Sequence, residues 1–237
     1  MTSHQQQTNH PFIIFSCALG AIVIFGTILA FTKPYTPTPR SQIRQQQNND
    51  VTFQKEVVPR DQILAHANNS EFAYAQGPQD AAVTVVEYFD FKCPFSAQSA
   101  QTMNRLLQTY ESSPVRFVFR QVPAANIYPA SLPASNASLC ANEQGKFLPM
   151  YTLLFRQQKQ VREDNLSTFA DTLGLDRTKF DTCMSTKKYQ KWISKDLSDA
   201  IAIKLQGTPT WFINGKRFIG AVPFDMLSGT IQNELTN

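Results

Sequence analysis

Three kinds of hydrophobic pattern follow one another along the chain. The first is unbroken: Phe12 to Phe31 contains no charged residue. As a helix it would span roughly 30 Å, the thickness of a bilayer's hydrocarbon core. A cleaved signal peptide has a shorter apolar region, about 7–15 residues, so the pattern predicts an uncleaved transmembrane anchor behind a short tail, residues 1–11. The competing reading is a buried helix of a soluble domain. The second pattern is polar. Residues 32–69 read as a linker: Pro34, Pro37 and Pro39 keep the chain extended, and Gln45–Asn49 is a polar tract. As far as about residue 54 this tether is too polar to bury anything, and one helical turn is expected around Asp61 to Ala67.

The third pattern, over residues 70–237, mixes strand and helix periods. Val83, Val85, Val86, Tyr88 and Phe89 form a nearly continuous β-branched and aromatic run, the signature of a strand covered on both faces. Gly77-Pro78 marks a turn before it. Ala100, Met103, Leu107 and Tyr110 then recur at helical spacing, and Pro94 sits where a first helical residue belongs, its missing N–H costing nothing there. Val115 to Val122 predicts a second strand, which makes a right-handed βαβ unit. Prolines break the pattern from Pro123 to Pro133. Helices are expected over Ala134 to Asn142, over Gly145 to Gln157, through Leu166 and Leu173 with Gly174 as the stop, and around Thr178 to Met184. A longer one carries Ile193, Leu197, Ala200, Ile201 and Leu205 and ends at Gly207. Thr210 to Ile213 and Lys216 to Ile219 flank Asn214-Gly215, a strong two-residue hairpin turn. Phe224, Leu227, Ile231 and Leu235 predict a closing helix. The class is α/β.

Composition narrows the function. An apolar share of 42% against 17% charged residues describes a globular chain. The net charge of +4 comes from scattered basic residues and gives no nucleic-acid footprint. His4, His10 and His66 lie far from Cys93 and form no Cys/His spacing for zinc, so no metal is expected. Gly215 to Gly220 has the wrong continuation for a phosphate loop, and no cofactor is expected.

The candidate chemistry centres on Cys93. At the N-cap of a helix, its sulfur is expected to face unpaired backbone N–H groups and the positive end of the dipole, which favours a thiolate. The alternative is a small buried core residue. Glu87 is an acid in an apolar strand, six residues before the cysteine. It is read either as a buried acid, whose pKa burial would raise, or as a strand-end carboxylate reaching water. Thr208-Pro209, taken alone, reads as an ordinary trans proline opening a strand.

Three segments carry a family resemblance. EYFDFKCPFS at Glu87–Ser96 resembles the active-site strand of the DsbA-like branch of the thioredoxin superfamily, SLCANEQGKF at Ser138–Phe147 is similar to its helical insertion, and GTPTWFINGKRFIG at Gly207–Gly220 resembles its cis-proline loop and hairpin. Together they cover about residues 70 to 236. The family pattern is Cys-Pro-x-Cys. Here Ser96 replaces the second cysteine, which fits the same turn but closes no disulfide with Cys93.

The resemblance implies a thioredoxin fold, a central mixed sheet flanked by helices, with an all-helical insertion at about 130–200. It implies Cys93, Ser96 and Glu87 as the catalytic group, Pro94, Phe95, Thr208 and Pro209 as the substrate-binding group, and a structural disulfide Cys140–Cys183. The alternatives for that pair are two separate buried thiols, or one of them resolving Cys93. The expected activity is that of a membrane-anchored thiol–disulfide oxidoreductase acting through one thiol, and isomerase- or reductase-like chemistry fits better than net oxidation. Its partners would be extracytoplasmic proteins with thiols or disulfides, and a partner thiol or small thiol to resolve mixed disulfides. The competing function is a redox-inactive peptide-binding or chaperone-like module. Orientation divides the signals. Lys33, Arg40 and Arg44 follow the apolar stretch and no Lys or Arg precedes it, which by the positive-inside rule favours a cytoplasmic domain. The resemblance favours the extracytoplasmic side, and that placement is adopted because long domains translocate despite flanking charge.

Overall fold

The computed structural model describes residues 74–236, together with Thr52–Phe53 and positions 59, 61, 62 and 65. The expected anchor at 12–31 and most of the linker lie outside the described residues. Among the described residues no helix is long and apolar enough to cross a membrane.

A six-stranded mixed sheet organises the rest. Its strands are β1 (Thr52–Phe53), β2 (Tyr74–Gln76), β3 (Val83–Phe89), β4 (Val115–Gln121), β5 (Thr210–Ile213) and β6 (Lys216–Ile219), in the order β1-β6-β5-β3-β4-β2. Only β3 and β4 run parallel, and they are joined through helix α1 (Pro94–Thr109). All seven residues of β3 and all seven of β4 are buried, as strands packed on both faces require. Five helices fill the span between β4 and β5: α2 (Ser131–Asn142), α3 (Phe147–Arg156), α4 (Leu166–Thr172), α5 (Arg177–Ser185) and α6 (Gln190–Ala202). Helix α7 (Phe224–Thr236) closes the chain.

The two sheet faces differ in weight. Val83, Val85 and Phe89 join Met103 and Leu106 of α1, the α2–α4 side chains, and Leu227 and Ile231 of α7 in one large core. On the other face Val86, Tyr88, Val118 and Phe212 meet Ala200 and Ile203 at the end of α6, with half-buried Ala75, Val122 and Leu205 packed against them.

Several elements differ from the sequence reading. The stretch read as polar tether contains β1, which pairs antiparallel with Phe218 and Ile219. Strand β2, three residues long, was not foreseen, because so short a segment shows no alternation. Helix α2 starts at Ser131, before Pro133. A proline in the first helical turn removes an N–H that has no intrahelical partner, and the first helical bond runs from the Ala134 N–H to Ala130 O at 3.0 Å. Helix α6 stops at Ala202 instead of running to Gly207, because Lys204 turns the chain with φ +51°. Ile201, placed on the apolar stripe, is 76% exposed.

Candidate functional site

Strand β3 delivers the site and a tight turn shapes it. The turn begins at Asp90, a buried residue whose side chain is fully used. Its Oδ1 accepts from the Lys92 N–H at 2.9 Å, an Asx-turn, and its Oδ2 accepts from the Ala124 N–H at 3.0 Å in the loop after β4. Its carbonyl accepts from the Cys93 N–H at 3.1 Å. Cys93 is the N-cap of α1 with extended backbone, Pro94 follows at the first helical position, and the Cys93 carbonyl takes the first helical bond from the Ala97 N–H at 3.1 Å.

The Cys93 thiol does not cap the helix. It donates instead to the Thr208 carbonyl at 3.1 Å, across 115 residues of sequence. The Thr208–Pro209 peptide bond is cis. Pro209 is buried, and its carbonyl accepts from the Gly220 N–H at 2.8 Å, so the loop is fixed to the end of β6. The structure thus brings Cys93, Pro94, Thr208 and Pro209 together. Cys93 is partly exposed and is the free thiol among the described residues. Phe95, on the first turn of α1, is 60% exposed. Ser96 is fully buried, and its Oγ accepts from the Asp90 N–H at 3.3 Å, so it sits inside the turn.

Glu87 lies on the large-core face of β3, opposite Trp211 of β5. Its Oε2 accepts from the Tyr151 hydroxyl at 2.9 Å. Complete burial pushes its carboxyl up to about 8, against weaker opposition from the hydroxyls of Tyr151 and Ser99. Burial, reinforced by the Glu87 carboxylate, raises the Tyr151 phenol well above its ordinary value. Tyr151 stands among Phe89, Phe91, Phe119, Phe147 and Phe155, with ring centroids 4.9–6.2 Å away. Glu87 is therefore a neutral acid at pH 7 in an aromatic pocket.

The helical insertion reaches the site through a short 3-10 turn, Gln158–Gln160. The Gln158 Nε2 donates to the Phe91 and Cys93 carbonyls, each at 2.9 Å. In return Lys92 Nζ donates to the Gln158 carbonyl at 2.7 Å and the Val161 carbonyl at 3.1 Å. Partial burial lowers the Lys92 ammonium from its ordinary value, with the Asp90 carboxylate opposing. Beside Lys92 a cavity of about 360 Å³ opens between Ile127, Tyr128, Val161 and Arg162. Cys140 of α2 and Cys183 of α5 form a disulfide, S–S 2.01 Å.

Sequence reasoning overlooked Asp90, Lys92, Tyr151 and Gln158. An aspartate directly after a buried strand and two residues before an N-cap is an Asx-turn signal that could have found Asp90. Tyr151 was visible only as one of several aromatics on a helix, and nothing in the sequence marks Gln158 among its neighbours Gln157 and Gln160.

Comparison with known proteins matches residues 69–233 to the family model described as thioredoxin. Among solved structures, a thioredoxin-like oxidoreductase from Silicibacter pomeroyi has a TM-score of 0.63 at 24% identity, over 73% of this chain and 97% of that one. The thiol-disulfide exchange protein alpha-DsbA2 from Wolbachia pipientis has a TM-score of 0.64 at 16% identity, over 74% of this chain and 95% of that one. A curated relative, the Na(+)/H(+) antiporter NhaA 3 of Salinispora tropica, is 35% identical over 160 residues, 68% of this chain and 24% of its own length. The chain thus spans about a quarter of the curated relatives it matches.

Proposed function

Because the chain belongs to the thioredoxin family and has the fold of its DsbA-like oxidoreductases, we propose that it is a membrane-anchored thiol–disulfide oxidoreductase acting through the single thiol Cys93. One observation carries the reading: a partly exposed free thiol at a helix N-cap, held 3.1 Å from the carbonyl of Thr208.

The reaction is thiol–disulfide exchange. Cys93 attacks one sulfur of a substrate disulfide, forming a Cys93–substrate S–S bond as the substrate S–S bond breaks. The departing sulfur takes the bonding electron pair and ends with the proton that Cys93 gave up. Ser96 has no thiol to reverse this, so a second thiol must attack the mixed disulfide and free Cys93. That thiol comes from the substrate, giving isomerisation, or from a partner or small thiol, giving reductive release. An extended substrate segment would pair its main chain with the Thr208 loop in the manner of an added strand. Pro94, Pro209 and the exposed ring of Phe95 would flank it. Glu87 is assigned the role of a buried proton donor and acceptor on the strand that carries the site.

The anchor is residues 12–31, and the domain is placed on the extracytoplasmic side, where its substrates are proteins bearing thiols or disulfides. The Cys140–Cys183 disulfide suits an oxidising compartment. The relatives named as Na(+)/H(+) antiporters match within much longer chains, which supports a membrane setting. Ser96 in place of the second cysteine favours one competing reading, a redox-inactive module that binds peptides through the same loop.

Trapping separates the two. Intact cells are quenched with acid, free thiols are alkylated, and adducts on the chain are resolved without reductant. Protein adducts are expected on the wild type and absent from Cys93→Ala. Their absence from the wild type, with partner binding retained by Cys93→Ala, would replace the enzyme by the binding module.

A further inference from the structure

The hydrogen bonds between the helical insertion and the active-site turn run both ways. From the insertion, one side-chain amide, Gln158 Nε2, reaches two carbonyls of the turn, Phe91 and Cys93. From the turn, one ammonium, Lys92 Nζ, reaches two carbonyls of the insertion, Gln158 and Val161. Neither contact extends a helix or a strand, and both converge on the three residues that end in the reactive cysteine. Val161 is 2% exposed, so the insertion side is firmly seated. The Cys93 thiol itself meets the Thr208 carbonyl. An attacking thiol must leave that carbonyl and turn toward a substrate sulfur while its main chain stays in place. Asp90 holds the start of the turn, and among the described residues the donors to the Cys93 carbonyl are the Ala97 N–H of its own helix and the Gln158 amide.

We propose that Gln158 and Lys92 form a reciprocal strap that positions the Cys93 main chain for attack, so that the helical insertion takes part in the exchange step. Gln158 is a positioning residue: it touches the turn and no reacting atom. The proposal rests on Cys93 acting in thiol–disulfide exchange. It goes beyond that reading by giving the insertion a part in the rate, where otherwise it would only cover the sheet.

The test uses the full chain in detergent and an uncharged aromatic disulfide, a dithiodipyridine. The reagent takes Cys93 into a mixed disulfide and releases one equivalent of coloured thiopyridine, which carries the thiol proton. The Cys93→Ala chain gives the background from Cys17, and urea unfolding is followed alongside. Gln158→Met keeps length and charge and removes both donors. It is expected to slow the exchange by roughly 3- to 10-fold, the weight of about one net hydrogen bond. Lys92→Met should act similarly. The double variant should be slower than either single by less than about twofold, because the two groups work as one unit. Lys92→Arg keeps a charged donor and should stay within about twofold of the wild type.

A strap that only braced the fold would lower the urea midpoint and leave the exchange rate of the folded protein unchanged. That result, or multiplicative losses in the double variant, overturns the proposal. A wild-type chain no faster than Cys93→Ala would instead overturn the exchange reading itself, and the strap with it.

Discussion

Glu87 shows how one residue can be legible as a type while its consequence waits for its surroundings. An acid inside a β-branched and aromatic run stands out in the sequence, but only Tyr151 and the ring of phenylalanines around it show that no water reaches the carboxyl. Burial raises it to about 8, so over the range from the ordinary carboxyl value near 4.5 up to about 8 the folded chain keeps a proton that the unfolded chain has released. The stability this contributes is complete at low pH and is lost as pH rises through that window, by about 1.4 kcal/mol per unit for a single group. Glu87→Gln mimics the neutral acid and removes the titration. Urea unfolding at pH 5 and pH 7.5 should show the wild type losing stability relative to Glu87→Gln as pH rises, and a difference that stays constant with pH contradicts the assignment. Ser96 makes a second residue-scale prediction. It lies buried inside the turn, where a thiol of similar shape fits. Ser96→Cys should oxidise a peptide dithiol faster by at least roughly tenfold, because an intramolecular thiol acts at a very high effective concentration. No gain in that assay would count against Cys93 cycling through mixed disulfides. Gln158 was illegible for a physical reason: its partners are backbone carbonyls about 65 residues away, and a carbonyl carries no sequence signature.

Among the elements, those with a strong local pattern were read closely. The wholly buried, mostly apolar β3, the hairpin around Asn214-Gly215, the Pro94 start of α1 and the Gly174 stop of α4 each follow from backbone rules acting within a few residues. Elements set by tertiary pairing were misplaced or unseen. Strand β1 exists because β6 leaves an edge for it, and β2 because β4 does. Gly77, which ends β2 with φ +101°, shows the same dependence: a Cβ there would lie 2.2 Å from the Val115 carbonyl, a contact that no sequence pattern reports. The staple between α2 and α5 joins cysteines 43 positions apart. In the chain-entropy picture a loop of that length is worth about 4 kcal/mol, with measured values commonly about 2–4 kcal/mol. Cys140→Ala/Cys183→Ala should therefore unfold at lower urea with a loss in that range. Adding reductant should lower the wild type toward the double variant and leave the variant itself unmoved. An equal response of both chains to reductant would mean that the disulfide contributes nothing.

At the scale of the domain, the two faces of the sheet are held in different ways. One carries the large aromatic and aliphatic core shared by α1, α3 and α7, while the other has six buried apolar residues. On the lean face a polar tie supplements packing. Asp196 of α6 accepts from Arg120 of β4 at 2.6 Å and from the Gln121 N–H at 2.8 Å, with both side chains almost wholly buried. The sequence showed Arg120 only as the polar alternate of a strand, and its partner lies 76 positions away on a helix. Burial raises the Asp196 carboxyl to about 6, and Arg120 is the main group holding it down. Desolvation takes back much of what the pair gains, so what matters is the cost of parting it. Arg120→Met should lose roughly 3–5 kcal/mol, because it leaves a buried carboxylate alone. The loss should shrink at pH 5, because Asp196 without its cation is driven still further toward the protonated acid, and holding that proton costs less as pH falls toward the ordinary carboxyl value. Adding Asp196→Leu removes the stranded charge and should return most of the loss, short by the roughly 1–3 kcal/mol that an orphaned Gln121 N–H costs. Urea unfolding of the two single variants and the double at pH 5 and pH 7 measures each step. If the double falls as far as the sum of the singles, the two groups act independently. The Arg120–Asp196 contact would then add nothing of its own to the attachment of α6, which Ala200, Ile203 and the Arg217 bond to the Ile203 carbonyl would carry without it.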